Sequence, residues 1–158
     1  MPIDETITFI PCGIAILTIS DTRRFDDDLS GKILEDRLIS AGHKLIRRTI
    51  VKDNINSITS ELKQMTKDSF IDVIISTGGT GLTDKDVTPE SYEIICEKMI
   101  PGFGELFRYL SYKKIETSTI QSRAIAGISN GKYLFALPGS PNACIDGWDL
   151  ILKYQLDS

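Results

Sequence analysis

A chain of 158 residues, 41% hydrophobic and 25% charged, has the make-up of one globular domain over residues 1–158, large enough to bury a core. Its net charge of −4 and pI near 5.0 argue against nucleic-acid binding through overall charge, so any phosphate site must be local. No apolar run is long enough to span a bilayer and the first residues carry no signal-peptide pattern, so the sequence reads as cytoplasmic, with no membrane partner.

Residues 1–11 show no periodicity and are expected at the surface or against a neighbour. Ile14 to Ile19 predicts a first buried strand, ending in Ser20-Asp21-Thr22. Asp26-Asp27-Asp28 reads as a solvated acidic turn. Leu29, Ile33, Leu34 and Leu38 then recur at helical spacing up to Gly42, a fitting helix end. The one histidine, His43, is expected in the exposed turn after it, and one histidine cannot supply a zinc site. Leu45 to Val51 predicts a second strand, more exposed because of Arg47-Arg48, and Asp53-Asn54 ends it. Ile55, Ile58, Leu62 and Met65 mark the next helix face.

Val73 to Ile75 is the most apolar strand signal and runs directly into Gly78-Gly79-Thr80-Gly81. Missing β-carbons let such a turn bring its amides close to an anion. Asp84 and Asp86 follow, and Thr88-Pro89-Glu90 predicts a helix start with Thr88 as cap. The loop is neither a Walker A motif nor the dinucleotide Gly-x-Gly-x-x-Gly, and a turn that binds nothing is the plain alternative. A carboxylate beside an anion site implies a cation between them. Lys52, Lys85 and Arg123 are the basic candidates.

Tyr92, Ile95 and Met99 predict one helix, broken at Pro101-Gly102, and Phe103, Leu106, Phe107 and Leu110 a second, its stripe core or subunit interface. Asn130-Gly131 joins two strands as a hairpin. Ser140 and Pro141 start a last helix whose buried face is Cys144, Trp148, Ile151 and Leu152. Cys12, Cys96 and Cys144, widely spaced, read as inert thiols in a reducing compartment. The alternation predicts a three-layer αβα domain with a mostly parallel sheet. Ligands in such sheets bind beyond the carboxyl ends of the strands, which gathers Ser20-Asp21, Asp53, Gly78 to Asp86, and Pro138 to Asn142 on one rim.

Thr77 to Gly81 and Asp86 to Glu90 resemble the molybdopterin adenylyltransferases, the MoaB/MogA family of molybdenum cofactor biosynthesis. The likeness extends to Thr18 to Thr22, Ser30-Gly31, Val51 to Asp53, Pro101 to Glu105, Ser122 to Ala124 and Leu137 to Pro141, in order along nearly the whole chain. The segment Phe103 to Tyr112 and the chain's brevity look more like the MoaB branch. The resemblance implies Mg-ATP-dependent adenylylation of molybdopterin with release of pyrophosphate. Asp53 and Asp86 match the family's two important acids and are assigned to Mg²⁺ and the nucleotide. Gly78, Gly79, Thr80 and Gly81, with Ser20 and Asp21, would bind phosphate. Ser122, Arg123, Pro138, Gly139, Ser140 and Asn142 would line the pterin side.

The alternative is a molybdopterin-binding or assembly protein of the same pathway without catalysis. Multidomain molybdenum-insertion enzymes are disfavoured by length. A homotrimer or homohexamer is implied, with Phe103, Phe107 and Tyr109 offering apolar surface. Two departures stand out. Leu82-Thr83-Asp84-Lys85 is less basic than the matching MogA loop, and the chain ends at Asp157-Ser158 without the tail of many MoaB relatives, which is expected to weaken an intersubunit contact.

Overall fold

A computed structural model describes residues 6–156. The expectation for residues 1–11 lies partly outside the described residues, and that for Asp157-Ser158 wholly so. Alternating apolar residues make strands with two buried faces, and amphipathic helices cover both. The chain runs β1 (Gly13–Ile19), α1 (Leu29–Ser40), β2 (Lys44–Val51), α2 (Ile55–Lys67), β3 (Val73–Thr77), α3 (Thr88–Ile95) and β4 (Lys98–Met99). It continues through α4 (Pro101–Ile115), a 3₁₀ segment (Glu116–Gln121), the hairpin β5 (Ile125–Ser129) and β6 (Lys132–Leu137), and α5 (Pro141–Gly147). A π-helical turn (Trp148–Leu152) and α6 (Lys153–Gln155) carry α5 onward. Among the described residues no helix is long and apolar enough to cross a membrane.

One six-stranded sheet has the order β2-β1-β3-β6-β5-β4. β2, β1, β3 and β6 are mutually parallel, whereas β5 runs antiparallel to β6 and to β4. Side chains alternate along each strand, so β1 sends Ile14 and Ile16 to one face and Ala15 and Leu17 to the other. The first face packs Leu34 and Leu38 of α1, Phe103 and Phe107 of α4, and Cys144 and Trp148. The second packs Ile58, Leu62 and Met65 of α2 and Tyr92 of α3. This is the three-layer architecture with a mostly parallel sheet. Tyr92 is fully buried, with its hydroxyl 2.8 Å from Ser76 Oγ and donating to Phe135 O at 3.1 Å.

Several local expectations need correction. The predicted helix through Met99 stops at Ile95, and residues 97–100 pair with β5 through Glu97 N to Ile128 O and Ile100 N to Ala126 O. Backbone pairing with an open strand edge outweighs the helical spacing there. Pro101 consequently opens α4 instead of breaking a helix. Leu29 is exposed at the start of α1 and Leu106 on the outside of α4, while Phe103 and Phe107 belong to the core. His43 is buried, because Gly42 with φ +89° turns the chain inward after α1. Its ring packs on Phe9 and edge-on to Trp148, and Nδ1 accepts from the Cys12 amide at 3.2 Å. The cysteines are free thiols, and burial pushes those of Cys96 and Cys144 up to about 11, in keeping with inert groups.

The acidic turn also splits. Asp26 and Asp27 are exposed, but Asp28 is buried and caps α1 by accepting from Gly31 N at 3.0 Å. The same carboxylate accepts from Thr18 Oγ1 at 2.6 Å and from Arg48 at 3.1 Å, and Arg48 also pairs with Glu35. Removing one partner of a buried ion pair leaves the other poorly solvated. Asp28→Ala should therefore cost about 3 kcal/mol in urea unfolding, whereas Asp26→Ala should stay within about 0.5 kcal/mol. Equal effects of the two would contradict the network.

Candidate functional site

The sheet order decides where a cavity can form. From β1 the chain crosses to β2 on one side, and from β3 it moves toward β6 on the other. The connections therefore part between the carboxyl ends of β1 and β3, leaving a crevice at the switch point. A cavity of about 550 Å³ opens there. Of the residues expected on the rim or on the pterin side, Ser20, Asp53, Gly78, Gly79, Thr80, Gly81, Asp86, Ser122, Pro138 and Gly139 line it. Ile19, Thr22, Arg23 and Gln121 line it as well and were not singled out from the sequence.

The loop after β3 is shaped by what lies against it. Gly78 and Gly79 have φ of +105° and +68°. A β-carbon on Gly78 would lie 2.2 Å from the Ile19 carbonyl, and one on Gly79 would lie 2.3 Å from Thr88 Oγ1. Both glycines are thus demanded by the loop itself, with or without a ligand. The Gly78 amide donates to Leu137 O and the Thr88 amide to Gly79 O, each at 3.0 Å. Thr88 was expected to cap α3, but its hydroxyl instead donates to Gly78 O at 2.8 Å, and α3 has no side-chain cap.

Arg123 holds the loop from the neighbouring segment. Its amide donates to Thr80 O at 3.0 Å, Nε to Gly81 O at 2.8 Å and Nη2 to Asp86 O at 2.5 Å. Nη1 pairs with Glu90. Arg123 does not line the cavity, so its part is to position the loop. Lys85 is engaged too, 2.9 Å from Asp21 Oδ2, and Lys52 is exposed outside the cavity. Asp21 in turn accepts from the Asp53 amide at 3.1 Å, which fixes the turn that carries Asp53. Asp84 and Asn142 are exposed and do not line the cavity, and Ser140 caps α5 by accepting from Ala143 N at 3.2 Å. The basic side chain that does line it is Arg23.

The two acids differ in their surroundings. Asn54, not Asp53, caps α2, by accepting from Ser57 N at 2.8 Å. Burial, with Asp21 and Asp86 nearby, pushes the Asp53 carboxyl above the usual range, and among the described residues it has no ion-pair partner. Burial also pushes Asp86 upward, but the Thr83 hydroxyl and amide, the Gly81 amide and Arg123 together outweigh it and hold the carboxyl below the usual range. Thr83 Oγ1 and N lie 2.6 and 3.0 Å from Asp86 Oδ2. Lys85 first, then the Asp53 amide, holds Asp21 below the usual range. Among the described residues no cluster of three or more metal-binding side chains forms. Mg²⁺ asks less of a protein, one or two carboxylates with phosphates and waters completing its shell, and the pair Asp53 and Asp86 fits it.

Residues 15–158 match the family described as a probable molybdopterin binding domain. The molybdenum cofactor biosynthesis protein B of Escherichia coli K12 is 44% identical over 150 residues, spanning 95% of this chain and 88% of its own. A crystal structure of molybdenum cofactor biosynthesis protein B superposes with a TM-score of 0.92 at 38% identity, covering 95% and 94% of the two chains. The tungsten cofactor synthesizing protein MoaB of Pyrococcus furiosus gives a TM-score of 0.81 at 34% identity over 90% and 91%.

The opposed shifts make opposed stability effects. Asp53 binds its proton more tightly folded than unfolded, so its charge opposes folding: the cost is absent below the ordinary carboxylate range, grows as pH rises to the raised value, and is complete above it. For Asp86 the charge favours folding, fully above the ordinary range, and that support is lost as pH falls through the lowered value. At pH 7, Asp53→Asn should raise the melting midpoint and Asp86→Asn should lower it. The Asp53→Asn gain should disappear near about pH 3. Calorimetry at both pH values checks this, and midpoint shifts of one sign for both variants at pH 7 would refute it.

Proposed function

The chain belongs to the molybdopterin-binding MoaB/MogA family of molybdenum cofactor biosynthesis proteins, and from that membership we propose that it adenylylates molybdopterin from Mg-ATP. A terminal phosphate oxygen of molybdopterin attacks the α-phosphorus of ATP, the bond to the bridging oxygen breaks, and pyrophosphate leaves. The observation that carries the reading is the pair of acids flanking one glycine loop at the switch point, with the Asp53 charge held in a half-buried place where no described residue forms an ion pair with it. A carboxylate kept there against its desolvation cost supports a cationic ligand.

In this reading Asp53 and Asp86 would hold Mg²⁺, which when bound would offset the negative charge of the triphosphate and of the leaving pyrophosphate. The loop Gly78 to Gly81 would place the amides of Gly79 and Thr80 on the phosphates, fixed from behind by Thr88 and Arg123. Rigid donors aimed at developing charge need no reorganisation during the transfer. Ser122, Pro138 and Gly139 would face the pterin across the cavity. Self-association is part of the proposal. It is assigned to the exposed Leu106, Tyr109 and Tyr112 of α4, since Phe103 and Phe107 are taken up by the core.

Turnover of ATP and molybdopterin with Mg²⁺, followed by pyrophosphate release, tests the reaction. Asp86→Asn and Asp53→Asn should each lower the rate at least tenfold, a loss of about 1.4 kcal/mol or more of transition-state stabilisation. Molybdopterin binding should be largely spared. Folded wild-type protein that binds molybdopterin but releases no pyrophosphate would be a binding protein, and the catalytic reading would fall. Sedimentation should give a trimer or hexamer, and Tyr109→Glu should shift it toward monomer. A wild-type monomer at micromolar concentration would overturn the assembly.

A further inference from the structure

The cavity has two electrical ends, and the fold sets them apart. Asp53 leads into α2 and Asp86 into α3, which cover one face of the sheet. Arg23 leads toward α1, and Gly139 toward α5, on the opposite face. The glycine loop lies between. A bare anion is repelled at the first end and attracted at the second.

Arg23 is the basic group that lines the cavity, and it keeps donors available. Nη2 donates to Gly139 O at 2.9 Å, and Nη1 lies 3.9 Å from Asp28 Oδ1. Among the described residues these are the acceptors its guanidinium meets, and they leave most of its five donors unused. Gly139 O is itself held by Ser30 Oγ at 2.8 Å, so the tether is rigid. The Asp28 carboxylate sits closer to Arg48, at 3.1 Å, so it braces Arg23 while leaving its guanidinium donors open. Arg123 and Lys85, by contrast, are spent on Glu90, loop carbonyls and Asp21.

Ser20 adds a donor at the same end. Its Oγ accepts from the amides of Thr22 at 3.2 Å and Arg23 at 3.1 Å. A hydroxyl that accepts two bonds has its own proton left to give, and Ser20 lines the cavity. A guanidinium and a hydroxyl that line one cavity suit an oxyanion, and the guanidinium fork suits its paired oxygens.

The geometry points to a metal-independent phosphate subsite at this end, in which Arg23 and Ser20 seize a phosphate monoester dianion. The assignment rests on the reading of the cavity as a phosphate-handling site. It deepens that reading by separating a phosphate held by side chains from phosphates held through a cation. Asp28 and Gly139 O are positioning groups for Arg23.

Inorganic phosphate, titrated calorimetrically into the wild-type protein in the presence of EDTA, is the probe. Binding should be measurable. Arg23→Gln should weaken it at least tenfold, with circular dichroism and the melting midpoint showing a folded chain. Arg23→Lys keeps the charge but not the fork, and should fall between the two. Asp53→Asn should not weaken it, because that variant removes only a repelling charge. Absence of phosphate binding by wild type overturns the subsite. So does wild-type affinity in Arg23→Gln or, should that variant not fold, in Arg23→Lys. Neither readout involves ATP turnover, so the subsite and the adenylyl transfer can fail separately.

Discussion

Everything at the site depends on how closely the end of β1 meets the loop that leaves β3. The Ile19 carbonyl occupies the space where a side chain on residue 78 would begin. Glycines in left-handed conformations at 78 and 79 are therefore needed before the loop can leave β3 so close to the end of β1. Once they are there, Thr88 and Arg123 can reach the loop carbonyls, and the Leu137 carbonyl can take the Gly78 amide. The loop is thus tied to β6, to α3 and to the segment before β5 at once. Its shape is fixed by packing, and a ligand meets a surface already made.

That rigidity explains how unlike charges can share about 550 Å³. In a mobile loop Asp53 would turn to solvent, or Arg23 would swing across to the acids. Here Asp21 clamps the Asp53 turn, Thr83 clamps Asp86, and Gly139 O clamps Arg23. The stability withheld by the Asp53 charge is offset elsewhere, notably by the Asp28 network at the start of α1 and by two well-filled hydrophobic faces. Unpaired charge concentrated at one edge of a fold is common at functional sites.

The strands and the glycine loop were legible because burial on both faces imposes uninterrupted apolar runs, and a sharp exit needs glycine. Asn130-Gly131 and Ser140-Pro141 announced their turns through local chemistry alone. What sequence pattern missed was decided by partners far along the chain. Asp28 looked like its neighbours Asp26 and Asp27 until Arg48 and Thr18 came to meet it. Thr88 carried a good capping signal, yet a carbonyl ten positions earlier claimed its hydroxyl. Arg23 lay in a charged stretch with no periodicity, and its value came from Gly139, which is 116 residues away. Met99 of β4 fits a helical stripe equally well, and only the β5 edge told against it.

Arg123 carries a consequence for the order in which the chain can be finished. The loop it pins is made of residues 78–86, but the pin comes from a segment that follows the whole of α4 and the 3₁₀ turn, and the Leu137 carbonyl comes later still. A growing chain that has delivered β1, α1, β2, α2 and β3 can pair three parallel strands, yet its glycine loop still lacks the anchors from Arg123 and Leu137. Contacts so distant in sequence form late, because their loop-closure entropy must be met first. Synthesis from the amino terminus therefore yields the scaffold before the site, and binding competence arrives only with the last third of the polypeptide.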